Sequence, residues 1–203
     1  MYVPQHFKIT DSQTLYDVID RHGFATLINV RDGMPVISHI PLLLEKNTSG
    51  KLNLLGHFSR ANDHWKLCDG KIKTVAIFHG SHDYISPRWY ETSGLVPTWN
   101  YIAVHVTGAA RIVENYPRTI DILKKLTAVY ETGSDKPWTM DVLDDAKLQS
   151  MLKGIVAFEM PIDQIEGKFK LSQNRTIEDR MGVINGLKDK GGDMALDLAD
   201  RMK

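Results

Sequence analysis

The sequence predicts a mainly β chain with flanking helices: an antiparallel barrel of six strands, followed by a helical C-terminal extension. Three observations predict it. Six segments are rich in β-branched residues or alternate apolar with polar, the period-2 pattern of half-buried strands. Turn signals, with Asp32-Gly33 the strongest, separate the early segments closely enough for hairpins, so pairing is antiparallel. Helical periodicity is confined to the start, the middle and the end of the chain. Six hairpin-linked strands hide their edges most readily by closing into a barrel. No repeat, low-complexity stretch or linker interrupts the sequence, which reads as a single domain over residues 1–203 with a helical tail from about residue 176.

The first helix is expected after Thr10, a hydroxyl cap with Gln13 at the box position. Leu15, Val18 and Ile19 share its apolar face, and Gly23 ends it. FATLINV at 24–30 is the first strand. The Asp-Gly turn leads into a long return strand, PVISHIPLLLE at 35–45, and a turn cluster at 47–50 precedes KLNLLGHF at 51–58. A short helix is expected from Asn62 to Asp69, stopped by Gly70, then a strand KTVAIFHG at 73–80. Residues 81–101 are aromatic and carry prolines without helical spacing, and read as an ordered loop. YIAVHVTGAARIVE at 101–114 is a long strand with a bend at Gly108. A helix from Pro117 to Tyr130 places Ile120, Leu123, Leu126 and Tyr130 on one face, and a second runs from Asp144 to Leu152. GIVAFEMPI at 154–162 is the last strand. The tail from Thr176 is helical and broken at Gly191-Gly192.

Bulk properties narrow the function classes. Lys+Arg and Asp+Glu both number 25, a zero balance that argues against a broad electrostatic grip on nucleic acid or on an anionic membrane. The single cysteine, Cys68, cannot form an internal disulfide. It reads as a small packed residue in a reducing, cytoplasmic setting. There is neither a signal-peptide pattern nor an apolar run long enough to span a membrane. The eight histidines carry no paired CxxC or HExxH spacing, so no metal is expected. A glycine-rich Rossmann turn, a P-loop and a GxSxG elbow are also missing.

Three segments can carry chemistry. GHFSRANDHW at 56–65 brings Ser59, Arg60 and Asn62 to a strand-to-helix junction. Free amides, the helix dipole and a guanidinium fork suit a phosphate there, though Ser59 or Asn62 serves equally as a plain helix cap. EGKFKLSQNRTIEDR at 166–180 is donor-rich. Buried, it demands an acceptor-rich partner such as a flavin edge; exposed, it is a solvated loop before a helix capped by Thr176 with Asp179 at the box position. Tyr84, Trp89, Tyr90, Trp99 and Tyr101 can wall a flat ring or fill an interface.

With these segments in view, the chain resembles the PaiB-type family of FMN-binding negative transcriptional regulators. The likeness rests on MYVPQHF at the start, SHIPLLL at 38–44, GHFSRAN at 56–62, YISPRWY and VPTWNY at 84–90 and 96–101, and EGKFKLSQNR at 166–175, and it runs from Met1 to about Gly186. The resemblance implies a split β-barrel related to pyridoxamine phosphate oxidases and flavin reductases, working as a homodimer with FMN at the subunit interface. On it, His57, Ser59, Arg60 and Asn62 belong to the phosphate-side segment. The strand His39, Ile40 and Pro41 runs beside the isoalloxazine ring. Trp99 and Asn100 match one block, and Lys170, Gln173 and Arg175 match the block at the ring edge. The loop between Tyr90 and Val96 is shorter than the family pattern, which puts in doubt a substrate pocket built from it.

Two functions follow from the resemblance. One is an oxidoreductase of flavin-reductase type, fed by NADH or NADPH, in which the cofactor carries the chemistry and no side chain stands out as acid or base, His39 being the nearest. The other is an FMN-responsive repressor. The zero net charge and the lack of a DNA-binding motif weigh against direct DNA contact. A haem-binding barrel using one histidine is a third reading.

Overall fold

The computed structural model describes all 203 residues. Eight strands and five helices follow one another as β1 (Lys8–Ile9), α1 (Ser12–Arg21), β2 (Phe24–Arg31), β3 (Met34–Pro41), β4 (Leu43–Lys46), β5 (Leu52–Ser59), β6 (Asp69–Ile85), β7 (Thr98–Ile112), α2 (Tyr116–Glu131), α3 (Asp145–Leu152), β8 (Ile155–Lys170), α4 (Ile177–Lys190) and α5 (Asp193–Arg201). The residues group into two compact units. Unit 1 comprises Met1–Val18, His79–His105 and Glu166–Lys203, and unit 2 comprises Ile19–Phe78 and Val106–Ile165. No helix is long and apolar enough to cross a membrane.

In unit 2 the antiparallel sheet follows the order β3-β2-β6-β7-β8-β5-β4 and does not close, so β3 and β4 end the path. The expected hairpin forms: Asp32 and Gly33 both take positive φ, which is what a two-residue turn between twisted strands needs, and Arg31 pairs with Met34. The expected six strands are eight. The long return strand breaks at Leu42, whose amide turns back to the Gly23 carbonyl at 2.8 Å. The chain thereby leaves β2 as partner and pairs with β5. A two-residue strand, β1, adds the other. Helix α2 lies on β5 and β8 through Ile122 and Leu126, which pack on Leu55 and Ala157. Of the expected stripe Leu126 is in the core, where Ile122 joins it, while Ile120 and Leu123 are half-buried and Tyr130 is exposed. On the other face of β5, Gly56 lets Leu42 and Phe158 close in; a Cβ there would stand 2.7 Å from Leu42 Cδ2. Gly108 likewise permits a close approach of β7 to β8, where a Cβ would meet the Pro161 carbonyl oxygen at 2.2 Å.

In unit 1, β1 adds to β8, with Lys8 opposite Lys168. Leu15 of α1 is seated on Gly167, where a Cβ would come within 2.1 Å of Leu15 Cδ2. Helix α1 is capped by Asp11 rather than by Thr10: the Asp11 carboxylate accepts from the Thr14 amide at 2.8 Å and from its hydroxyl at 2.6 Å. Helix α4 starts at Thr176 as expected, with Thr176 Oγ1 accepting from the Asp179 amide at 3.2 Å. The Asp179 carboxylate does not complete a box; it accepts from the Thr92 amide at 2.9 Å. Val183, Ile184 and Leu187 of α4 and Ala195, Leu198 and Ala199 of α5 form the core beneath. The stretch expected as a loop at 81–101 begins and ends as strand, and only its centre is irregular.

Candidate cofactor site

In unit 2, Ser59, Arg60 and Asn62 stand where β5 ends. The expected helix is a 3-10 turn of five residues, Asp63–Leu67, too short to carry a helix dipole. Its first amides are met by Asn62, whose Oδ1 accepts from the His64 amide at 3.1 Å. Arg60 spends its fork on main chain: Nε donates to the Lys153 carbonyl and one terminal nitrogen to the Ile155 carbonyl, both at 2.8 Å. It therefore ties the end of β5 to the start of β8 and keeps one terminal nitrogen over. The Ser59 hydroxyl is exposed and only receives the Ala61 amide at 3.4 Å.

The Asn62 side chain leads into a buried polar chain that sequence reasoning missed. Asn62 Nδ2 donates to Ser38 Oγ at 2.9 Å, Ser38 Oγ lies 2.8 Å from His64 Nδ1, and His64 Nε2 lies 2.9 Å from Asn29 Oδ1. Asn29 Nδ2 then donates to Thr74 Oγ1 at 2.8 Å and the Lys73 carbonyl at 3.1 Å. One polarity satisfies every member: Nε2 carries the proton and donates to Asn29, while Nδ1 accepts from Ser38. Burial holds His64 below the ordinary histidine range, helped by the positive charge of Arg31, so the neutral ring suits the chain. Nothing in the local sequence marks these residues as partners, because they meet only through tertiary contact.

Ser38 and Ile40 point inward from β3, while His39 and Pro41 point outward. His39 Nδ1 lies 3.1 Å from the Thr26 hydroxyl, which fixes the ring and leaves Nε2 to the outer face. That face is apolar. Phe24, Ile28 and Val30 of β2 stand opposite Pro41, Ile37 and Pro35, and Phe24 is 68% exposed. His57 is not brought to Ser38 or His64. It points with Leu55 to the side that α2 covers, and burial lowers its pKa. Cys68 is buried and its thiol is pushed up to about 12, by burial and by Asp69, which leaves it unreactive.

In unit 1 the donor-rich run is not a loop. Strand β8 continues through it to Lys170, with Glu166, Lys168 and Lys170 on one face and Gly167 and Phe169 on the other. A turn follows, with Ser172 at φ 61. Two of the expected contact residues build this turn. Gln173 accepts from the Leu171 amide at 2.7 Å and donates to the Phe169 carbonyl at 2.6 Å, and fully buried Asn100 donates to Ser172 Oγ at 2.9 Å. Lys170 Nζ is held by Thr98 Oγ1 and by the Trp99 carbonyl at 2.9 Å. The Arg175 guanidinium lies 5.4 Å from the Tyr90 ring centre.

Lys168 opens the donor-rich run expected from the sequence, although it is not among the contact residues matched to the family block. It is 8% exposed, yet its ammonium makes no ion pair or hydrogen bond; it lies 5.2 Å from the Tyr2 ring centre and 5.3 Å from that of Tyr101. Lys170 is lowered by burial and then by the positive charges of Lys168 and Arg175. Lys168, Lys170 and Arg175 thus lie close enough to repel one another, the Glu166 carboxylate on the same strand face being paired with the N-terminal ammonium at 3.0 Å, and Trp99 beside them is 54% exposed. Such a set is complete only with an anionic or acceptor-rich ligand. No group of three or more His, Cys, Asp or Glu side chains is arranged to hold a metal ion.

The family model described as "Putative FMN-binding domain" matches residues 1–164. "Protease synthase and sporulation protein PAI 2" of Bacillus subtilis is 34% identical over 206 aligned positions, covering 100% of this chain and 97% of the relative. A protein of Saccharomyces cerevisiae, YKL070W, is 32% identical over 150 residues, covering 63% of this chain and 88% of its own. Among solved structures, an FAD and haem binding protein of Mycobacterium smegmatis has a TM-score of 0.63 at 16% identity, covering 92% of this chain and 80% of that one. The flavocytochrome Anf3 of Azotobacter vinelandii has a TM-score of 0.64 at 14% identity, covering 89% and 78%. The fold they share with this chain is the split barrel.

Proposed function

Given that the chain belongs to this FMN-binding domain family, we propose that it is a homodimeric flavoprotein of flavin-reductase type, in which bound FMN takes electrons from NADH or NADPH. FMN is the cofactor, and the fold is the flavin-binding split barrel. The observation that carries the reading is Lys168: a side chain only 8% exposed whose ammonium is met only by aromatic faces, with Lys170 and Arg175 beside it. Positive charge of that kind favours an electron-rich ring edge or a phosphate.

The unit 2 segment narrows on its own geometry. Ser59 Oγ and the spare terminal nitrogen of Arg60 remain for a phosphate oxygen, while Asn62 positions rather than binds. In unit 1, Lys170 and Arg175 face the ligand and Asn100 and Gln173 set the turn that carries them. Trp99 offers a flat wall. The strand His39–Pro41 presents His39 Nε2 and Pro41 on the outer face, where His39 can hold or pass one proton. When bound, FMN supplies hydride and single-electron chemistry; the chain binds it, orients it and sets the charge around it.

The exposed apolar face of β2 and β3 supports the homodimer, since Phe24, Val30 and Ile37 are each more than half exposed on one sheet surface. Reading residues 1–203 as one FMN-binding domain is supported by the continuity of β6, β7 and β8 through both units. A second reading, regulation without turnover, is favoured by the full-length relative, whose name attaches it to protease synthesis and sporulation.

One experiment separates them. The purified protein is loaded with FMN and mixed anaerobically with NADH or NADPH while the absorbance band near 450 nm (a general flavin property) is followed. Multiple-turnover bleaching and reoxidation support the reductase. Bound flavin that neither nucleotide reduces supports the regulator. A protein that binds no FMN overturns both.

A further inference from the structure

We infer that unit 2 holds a second ligand site, separate from the flavin: an apolar cavity anchored on His57 that takes a neutral one-ring molecule carrying a single acceptor oxygen. The cavity has a volume of about 190 Å3 and lies between β5, α2 and α3, lined by Leu123, Trp138, Leu143, Leu148 and Leu152 together with His57. A cavity of roughly 150 Å3 lined by aliphatic and aromatic side chains accommodates benzene, so this one suits a substituted ring.

His57 is the main polar group in it, and neither of its nitrogens has a protein partner. Nδ1 is buried without one. Nε2 is not enclosed, makes no hydrogen bond, and is left for whatever occupies the cavity. The environment keeps the ring neutral, which leaves one proton to place. A buried N–H without an acceptor is rarer and costlier than a buried lone pair without a donor. The proton therefore belongs on Nε2, and the ligand must accept it through a carbonyl or hydroxyl oxygen. The lining offers an ion no charged partner, which favours a neutral ligand.

A second hollow of about 450 Å3 adjoins the first through Thr127, Trp138 and Met140, and marks the way in. Its rim carries Lys124 and Asp141, paired at 3.0 Å, which join α2 to the turn at Met140–Val142. Of the residues the resemblance assigns to FMN only His57 lines this cavity, and the flavin reading above does not use it, so failure of the site would leave that reading as it stands.

The test uses the whole FMN-loaded protein and two probes of one shape, acetophenone and α-methylstyrene, which differ by a carbonyl oxygen. Imidazole 1H–15N correlation spectra are followed during titration. Acetophenone is expected to shift the His57 Nε2 resonances in a saturable way, while α-methylstyrene leaves Nε2 unmoved. Leu123→Trp, which fills the cavity, is expected to weaken acetophenone binding at least tenfold with FMN affinity unchanged; Leu148→Phe gives the same result should the first variant not fold. An unmoved His57 at the solubility limit of acetophenone overturns the proposal. So does equal binding to the cavity-filled variant, or a His57 shift that does not saturate.

Discussion

Helix α4 carries Gly182 and Gly186 one turn apart, and the two make a flat seat for Trp89. On helix propensity alone, Gly182→Ala should stabilise the protein by about 1 kcal/mol. The packing opposes this. A Cβ at Gly182 would stand 1.9 Å from the Trp89 carbonyl oxygen, and the obstacle is main chain, which no rotamer change removes. The carbonyl would have to retreat by about 1 Å to reach a tolerable contact, which places the cost at the upper end of the ~1–3 kcal/mol typical of overpacking. The net expectation is a loss of about 2 kcal/mol, or about 4–8 °C in Tm for a chain of this size. Urea unfolding followed by circular dichroism measures it. Gly186→Ala supplies the control. There the obstacle is the Trp89 ring at 2.3–2.5 Å, so Trp89→Leu should relieve Gly186→Ala but not Gly182→Ala. A Gly182→Ala protein as stable as its parent would refute the reasoning, as would equal relief of both variants by Trp89→Leu.

Other outcomes follow from the same structure. His57 and His64 are held below the ordinary histidine value of 6.5, both mainly by burial, so the unfolded chain takes up their protons first. Unfolding free energy should therefore be full above pH 6.5 and fall as the pH drops through 6.5 towards the folded-state pKa values; a flat profile between pH 7.5 and 5.5 contradicts this. Asn29→Leu leaves the His64 Nε2 proton without an acceptor and should cost about 1–3 kcal/mol in urea unfolding, against under about 0.5 kcal/mol for a substitution at exposed Lys71. Because the Cys68 thiol is pushed up to about 12 and is buried, a disulfide reagent at pH 8 should label it only at the rate of unfolding, and rapid labelling of native protein would show the packing to be wrong. FMN should bind more tightly than riboflavin, with a gap that narrows as salt rises, and Lys168→Met, beside the ring edge, should weaken both ligands while leaving that gap in place.

What the sequence conveyed depended on how local the cause was. Asp32-Gly33 announces its hairpin because the conformation is a property of two residues. Thr176 announces α4 for a similar reason. The run at 166–170 was harder. Its alternation of Glu166, Lys168 and Lys170 against Gly167 and Phe169 is a strand pattern, but its charge resembles that of a solvated loop, and only β1 and Leu15 of α1, distant in sequence, show that it is strand. Blocks around 56–62 and 168–175 were visible as chemistry, yet their division of labour was not. Arg60 and Gln173 look purely like ligand contacts in a string of letters, yet each also holds main chain, because the carbonyls they reach are fixed by neighbouring turns and strands. The chain from Asn62 to Thr74 was invisible for the opposite reason: each of its members is ordinary where it stands.

Unit 1 is assembled from the first 18 residues, a middle stretch and the last 38. On the ribosome this imposes an order. The short strand at Lys8–Ile9 emerges long before its partner at Gly167–Lys168, so it must wait while the residues between them are made. Unit 2, complete at Ile165, can settle while the final segment is still being made. The cationic segment proposed to meet the flavin is thus made only after unit 2 is complete. A chain cut short before it would keep much of its sheet and lose the charges that distinguish it from an empty barrel.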